Sequence, residues 1–168
     1  MRWTAYLILV YFAIGVQVGA GEFLRVGNSR PDLVLLAVIF IAIHAPRDAA
    51  LLGAFGIGLM QDLVSLSPLG VYALAYSLVG MFVVSTQELV YRAHPITHFS
   101  LGLVGGLITA TVVAIHGWTR GPAGISAMDL FTSALYTALL APIVLGLLNQ
   151  TRKAFQFTAR RRRRAGAF

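Results

Sequence analysis

Residues 33–61 read LVLLAVIFIAIHAPRDAALLGAFGIGLMQ, an apolar run with one interruption at Ala45-Pro46-Arg47-Asp48. Proline and two charges are costly in the middle of a bilayer, so we predict a helical hairpin that turns there. Pro46 disfavours a helical Ala45, and Asp48 is placed to cap the following helix. Each arm provides about 20 Å of helix against about 30 Å of hydrocarbon. A hairpin that spans twice and a re-entrant pair therefore both stay open.

Four further apolar segments flank this hairpin and approach or reach the length of a membrane span. The first exceeds the usual apolar core of a secretory signal, which favours an uncleaved helix over a cleaved leader. Before the hairpin, Ser29-Arg30-Pro31-Asp32 carries the proline and acid of a helix start. The four segments are Trp3 to Ala20, Val71 to Gln87, Phe99 to Trp118 and Leu130 to Leu148.

The composition agrees with a membrane protein. Of 168 residues, 58% are hydrophobic and only 11% are charged, whereas soluble domains have about a quarter charged residues. We predict an all-α integral membrane protein, a bundle of about six transmembrane helices, with a polytopic domain at 1–151 and a basic cytoplasmic tail at 152–168. The chain has no cysteine, which excludes disulfides, thiolate metal sites and cysteine nucleophiles, and we expect no cofactor.

The basic residues predict the orientation. With six crossings and a cytoplasmic amino terminus, ten of the 13 lysines and arginines fall on the inner side. Both termini are therefore expected in the cytoplasm. A net charge of +7 concentrated in one tail is typical of a membrane flank rather than a nucleic-acid site. The tail is expected to set topology and contact anionic lipids, or alternatively to bind an acidic partner, through Arg152, Lys153, Arg160, Arg161, Arg162, Arg163 and Arg164.

Small residues recur at four-residue spacing along several predicted helices. In lipid, helices associate through close contact that such stripes permit. Ordinary packing within the bundle is the simpler interpretation, and a face for a partner helix or a second copy is the alternative, most of all in the fifth helix. The stripes are Gly15 and Gly19; Ala50, Ala54 and Gly58; Gly102, Gly106, Ala110 and Ala114; and Ala134 and Ala138.

Asp62 continues the stripe that ends at Gly58, four residues earlier. Acids within membranes usually have a partner and a role, and Arg30, Arg120 or a backbone amide are possible partners. The alternative places Asp62 at the interface, where it caps the loop from Ser65 to Gly70. No hydrolase elbow, zinc helix or phosphate loop occurs, so we predict that the protein is not an enzyme.

Several motifs between residues 30 and 80 together resemble a known family. They are Arg30-Pro-Asp-Leu-Val-Leu-Leu, Gly53 and Gly56, Gly58-Leu-Met-Gln-Asp62-Leu, Ser67-Pro-Leu-Gly70 and Ala73-Leu-Ala-Tyr76. In order and spacing, this block resembles MreD, the rod shape-determining membrane protein of bacteria.

The resemblance implies a function and a fold. It implies a non-enzymatic scaffold in the bacterial inner membrane that binds MreC, with MreB filaments and a RodA-type glycosyltransferase with its transpeptidase as further partners. A homodimer is a separate alternative, which the small-residue stripes suggest. The resemblance also implies a fold similar to the substrate-binding subunits of energy-coupling-factor transporters. By position, Pro31, Asp32, Asp62, Pro68 and Gly70 would shape a functional surface or pocket.

Two rival functions stay open beside the scaffold. One is a small-molecule-binding subunit of a vitamin-type transporter, with a pocket around Asp62, Tyr72 and Tyr76. The other is a cryptic intramembrane enzyme, for which Asp62 lacks a second catalytic acid in any recognisable motif.

Overall fold

The computed structural model describes residues 3–20, 23, 25, 29–65, 68–86, 95–119 and 127–155. Over these residues the chain forms six α-helices and belongs to the all-α class, as predicted. Two of them, α5 and α6, are long and apolar enough to cross a membrane by length and composition. The helices are α1 (Trp3–Ala20), α2 (Leu33–His44), α3 (Arg47–Val64), α4 (Val71–Ser85), α5 (Pro95–Thr119) and α6 (Ala127–Phe155).

The predicted interruption at Pro46 is confirmed as the boundary between α2 and α3. The last turn of α2 closes with a hydrogen bond from the Ala45 amide to the Ile41 carbonyl (2.8 Å), and Pro46 then adopts an extended conformation. The prediction that Asp48 caps α3 is wrong. The N-cap is Pro46, which makes no side-chain cap, and Asp48 lies in the first turn. Because helical conformation resumes directly after the proline, the acid lies two residues beyond the N-cap position and cannot cap the helix.

The centre of the bundle is α2, which packs against all five other helices. Every residue from Val34 to Ala42 is buried, so the helix has no outward face. A helix that is apolar on all sides can be covered by lipid or by other helices, and here other helices surround it. With 12 residues it is about 18 Å long, shorter than a hydrocarbon core.

Two helix pairs meet through small residues. A Cβ added at Gly58 of α3 would lie 2.4 Å from the Cα of Ala73 in α4. In the second pair, Cβ atoms at Gly102 and Gly106 of α5 would approach α6 within 2.7 and 3.0 Å, at Ala141 and Ala134 respectively. The backbones of each pair are therefore as close as small residues allow.

The first helix is attached differently. It packs on α2 and α3 through one face, where the Tyr6 hydroxyl donates a hydrogen bond to the Gly53 carbonyl (2.9 Å). Gly15 and Gly19 are exposed, and an added Cβ would meet no atom within 4 Å at either residue. This stripe therefore does not pack against the described part of the chain.

The outer surface of the bundle is apolar. Large hydrophobic side chains are exposed on α1 and α3 to α6, including Phe12, Leu52, Leu74, Ile115 and Ile143. Soluble monomers rarely expose contiguous apolar surface of this kind, whereas a helix that faces lipid requires it. In α6, Pro142 is accommodated within the helix, and the backbone stays helical through Arg152 and Lys153. The arginine run at 160–164 lies outside the described residues.

Candidate functional site

Asp32 ends the segment before α2 and has two structural tasks. Its Oδ1 accepts a hydrogen bond from the Leu35 amide (2.9 Å), which caps α2 locally. Both carboxylate oxygens also lie within hydrogen-bonding distance of the Tyr76 hydroxyl of α4, at 2.9 and 2.8 Å. Burial raises the pKa of Asp32, and the hydrogen bonds from Leu35 and Tyr76 lower it in part. The carboxyl group therefore links the start of α2 to the interior of α4.

Hydrogen bonds from two sides hold the backbone on either side of Asp32. From α1, the Gln17 amide donates to the Pro31 carbonyl (3.1 Å) and accepts from the Leu33 amide (2.8 Å). From α6, the Thr137 hydroxyl accepts a hydrogen bond from the Asp32 amide (2.9 Å). The Ser133 hydroxyl, also of α6, donates to the Arg30 carbonyl. A buried segment without regular secondary structure needs such partners for its backbone groups.

Asp62 is fully buried and caps α4 from the neighbouring helix. Its Oδ2 accepts from the amides of Gly70 (2.8 Å) and Ala73 (3.2 Å), and its Oδ1 accepts from the amide of Tyr72 (2.9 Å). Gly70 holds the N-cap position but has no side chain, so Asp62 supplies the carboxylate that an N-cap residue would normally provide. Of the partners considered from sequence, backbone amides are found, and Arg120 lies outside the described residues.

The glycines around Asp62 make this arrangement possible. Gly70 has a φ of 108°, a conformation that side chains with a Cβ rarely adopt. Gly58, one turn before Asp62, lets α3 approach the Tyr72 carbonyl and Ala73 closely enough for the carboxylate to reach the amides. The Pro68 carbonyl accepts a longer bond from the Val71 amide (3.4 Å). Residues 58–65 and 68–73 thus form one structural unit.

A cavity of about 270 Å³ lies at the end of the bundle where α1 and α3 end and where α2, α4 and α6 begin. The middle of α5 passes beside it. Its wall combines polar and apolar side chains. The charged residues of the wall are Arg30 and Asp32, and hydroxyl or amide side chains come from α1, from the end of α3, and from α4, α5 and α6. The lining residues are Gln17, Arg30, Pro31, Asp32, Leu35, Gln61, Ser65, Tyr72, Gly106, Thr109, Ala110, Val113, Leu130, Ser133, Ala134 and Thr137.

The structure brings only some of the predicted site residues to this cavity. Pro31, Asp32 and Tyr72 line it, whereas Asp62 and Tyr76 do not. Tyr76 is fully buried and contacts Tyr72 edge to face, with ring centroids 5.6 Å apart. The predicted grouping of Asp62, Tyr72 and Tyr76 around one pocket therefore does not match the cavity wall.

Several wall residues were not singled out from sequence. They include Gln17, Gln61, Thr109, Ser133 and Thr137. The available signal was that each is polar within an otherwise apolar helix, which in a membrane calls for a hydrogen-bonding partner. Within the described ranges, three or more His, Asp or Glu side chains nowhere come together as metal ligands.

Comparison with known proteins connects this structure to a family. None of the curated proteins and none of the solved structures matches the chain. The family model described as rod shape-determining protein MreD matches residues 1–151, nearly the whole chain. The matched range includes Asp32, Asp62 and the residues that bond to them. Proteins of this family are membrane proteins with a structural, shape-determining role. The chain therefore belongs to the MreD family of rod shape-determining proteins.

Proposed function

We propose that this chain is a non-enzymatic scaffold that spans the bacterial inner membrane several times and has both termini in the cytoplasm. In this role it binds MreC and helps couple MreB filaments to peptidoglycan synthesis by a RodA-type glycosyltransferase and its transpeptidase. The observation that carries the proposal is family membership across residues 1–151. The basic tail at 152–168 would contact anionic lipids, and a homodimer is part of the same hypothesis.

A scaffold in a bilayer needs a helix face that its own chain leaves uncovered. The stripe of α5 does not meet this need, because Gly102 and Gly106 pack tightly against α6. The stripe of α1 meets it, because Gly15 and Gly19 are exposed with open space around them. We therefore assign the MreC transmembrane helix to the outer face of α1, where small residues permit close helix contact.

Co-purification with MreC in mild detergents tests this proposal. We expect wild-type protein to retain MreC, and Gly15→Ile with Gly19→Ile to lose it while keeping the wild-type melting temperature. Gly146→Ile is the matched control, because this glycine of α6 also has no atom within 4 Å of an added Cβ. It should retain MreC.

The outcomes separate the function from the assigned face. Failure of wild-type protein to retain MreC in several mild detergents would contradict the scaffold proposal. Retention by wild-type and both variant proteins would support the scaffold and exclude α1 as the docking helix. The similarity to transporter subunits and the vitamin-binding alternative stay predictions.

A further inference from the structure

The lipid-facing helices of the bundle differ in length. The helix α4 has 15 residues and is about 22 Å long, and it faces outward through the exposed side chains of Leu74, Leu78 and Met81. The apolar part of α5, Ile96–Trp118, has 23 residues and is about 34 Å long. The hydrocarbon core of a typical bilayer is about 30 Å thick. A flat bilayer of that thickness is therefore too thick for α4 and slightly too thin for α5.

The register between these two helices shows where α4 is short. A Cβ added at Gly105 of α5 would lie 3.3 Å from the side chain of Val79 of α4. The helices are antiparallel, because the start of α4 and a part of α5 beyond Gly105 line the same cavity. Leu69 is ten positions before Val79, and Ile115 is ten positions after Gly105. These two residues are therefore about level with each other along the bundle.

At this level the two faces of the bundle have different structures. On the α4 face the chain is irregular at Ser65 and at residues 68–70, and the side chains of Ser65 and Leu69 are exposed. Irregular backbone that faces lipid does not occur within hydrocarbon, because its polar groups would lack partners. On the α5 face the chain is still helical, with Ile115 and Trp118 exposed. Head groups and water therefore suit the first face at a level where hydrocarbon suits the second.

We propose that this protein thins the bilayer along α3 and α4, so that the bilayer surface at the cavity end lies at Leu69 on this face and near Trp118 on the α5 face. The hydrocarbon is then about 22 Å thick beside α4 and about 34 Å thick beside α5. The polar cavity wall agrees with this position, because Ser65 and Tyr72 belong to it and lie near the lowered surface. The proposal requires helices that span a membrane, and it does not depend on MreC binding.

Single cysteines measure the height of the bilayer surface on each face. The chain has no cysteine of its own, so Leu69→Cys and Ile115→Cys each carry one thiol, at side chains that are 70% and 61% exposed. The full chain is placed in nanodiscs of dioleoylphosphatidylcholine, which leave both bilayer surfaces open to a membrane-impermeant maleimide. We expect Leu69→Cys to react at least about tenfold faster than Ile115→Cys, because maleimide reacts with the thiolate, which hydrocarbon strongly disfavours.

Two further variants calibrate these rates. Leu78→Cys, in the middle of α4, is the control for a thiol within hydrocarbon and should react as slowly as Ile115→Cys. Asp48→Cys, in the first turn of α3 at the opposite end of the bundle, is the control for a thiol in water and should react as fast as Leu69→Cys. All four variants replace exposed side chains, and an unfolding midpoint close to that of wild type shows that each one folds.

Tryptophan fluorescence tests the α5 face without any change in α5. The chain has two tryptophans, so Trp3→Phe leaves Trp118 as the single emitter. In nanodiscs of phosphatidylcholine brominated on its acyl chains, Trp118 should lose most of the fluorescence that it has in the unbrominated lipid, because bromine quenches on contact.

Two results would overturn the proposal. The first is labelling of Leu69→Cys as slow as that of Leu78→Cys, which would place residues 68–70 within hydrocarbon. The second is labelling of Ile115→Cys as fast as that of Asp48→Cys, or Trp118 fluorescence that brominated lipid does not quench. Either observation would show that the end of α5 extends into water, so that a bilayer of even thickness fits both faces.

Discussion

Asp32 and Asp62 cap two helices at the same end of the bundle, but at very different distances along the chain. Asp32 caps α2 through an amide three residues away, as an N-cap residue usually does. Asp62 caps α4 through amides eight to 11 residues away, across a loop and from another helix. The first contact starts a helix, whereas the second also fastens two helices together. The cap made by Asp32 is therefore local, although its carboxylate also bonds to Tyr76 of α4, whereas the cap made by Asp62 is itself a tertiary contact.

The largest expected effect comes from Asp62→Asn. The asparagine amide would place N–H groups against the backbone N–H groups of α4, so at least one buried donor would lose its acceptor. We expect a loss of about 3 kcal/mol in the free energy of unfolding, measured by denaturant titration in detergent.

The control for this change is Asp48→Asn, the same substitution at an exposed position of the same helix. It removes only a favourable interaction with the helix dipole and should cost about 0.5 kcal/mol. Equal losses for the two variants would show that Asp62 does not fasten α3 to α4.

A second, smaller effect is expected from Gly58→Ala. The new methyl group would lie 2.4 to 2.6 Å from backbone atoms of Tyr72 and Ala73, so α3 and α4 must move apart. Overpacking of this kind should cost about 2 kcal/mol and lengthen the bonds that Asp62 accepts.

Gly15→Ala is the matched glycine control for the same denaturant titration. The methyl group there enters open space, and alanine favours a helix by about 0.5 to 1 kcal/mol over glycine. If Gly58→Ala were as stable as Gly15→Ala, the close approach of α3 and α4 would be wrong.

The smallest effect is expected from Asp32→Asn. Asparagine caps helices about as well as aspartate, and its carbonyl oxygen can still accept from Leu35 or Tyr76. Asparagine is also neutral, which reduces the cost of burial. We expect a loss below about 1 kcal/mol in the same titration. A loss as large as that of Asp62→Asn would remove the distinction between a local and a tertiary cap.

Sequence reasoning succeeded where neighbouring residues determine the structure. The break at Pro46 and the cap by Asp32 both follow from local backbone chemistry, and both are found. The prediction for Asp48 failed because an acid that caps a helix and an acid in its first turn look alike in sequence. Only the position of the first helical residue separates the two cases.

Contacts between helices were harder to predict, for a physical reason. Lipid tails and protein interiors are equally apolar, so hydropathy does not separate the buried α2 from helices that face lipid. Similarly, Gly15 and Gly19 have the same spacing as Gly102 and Gly106, yet among the described residues only the second pair packs against another helix. The cavity wall combines residues of all six described helices, so it could not be assembled from spacing alone.

The complete enclosure of α2 has a consequence for biosynthesis. The ribosome synthesises α2 before α4, α5 and α6. Until those helices are made, the surfaces of α2 that they later cover must contact lipid, the translocon or α1. Later helices then have to displace those temporary neighbours and close around it. Final assembly therefore waits for the carboxyl-terminal pair. In chains truncated after α4, the sides of α2 that α5 and α6 normally cover would be exposed, and membrane quality-control proteases would degrade such chains.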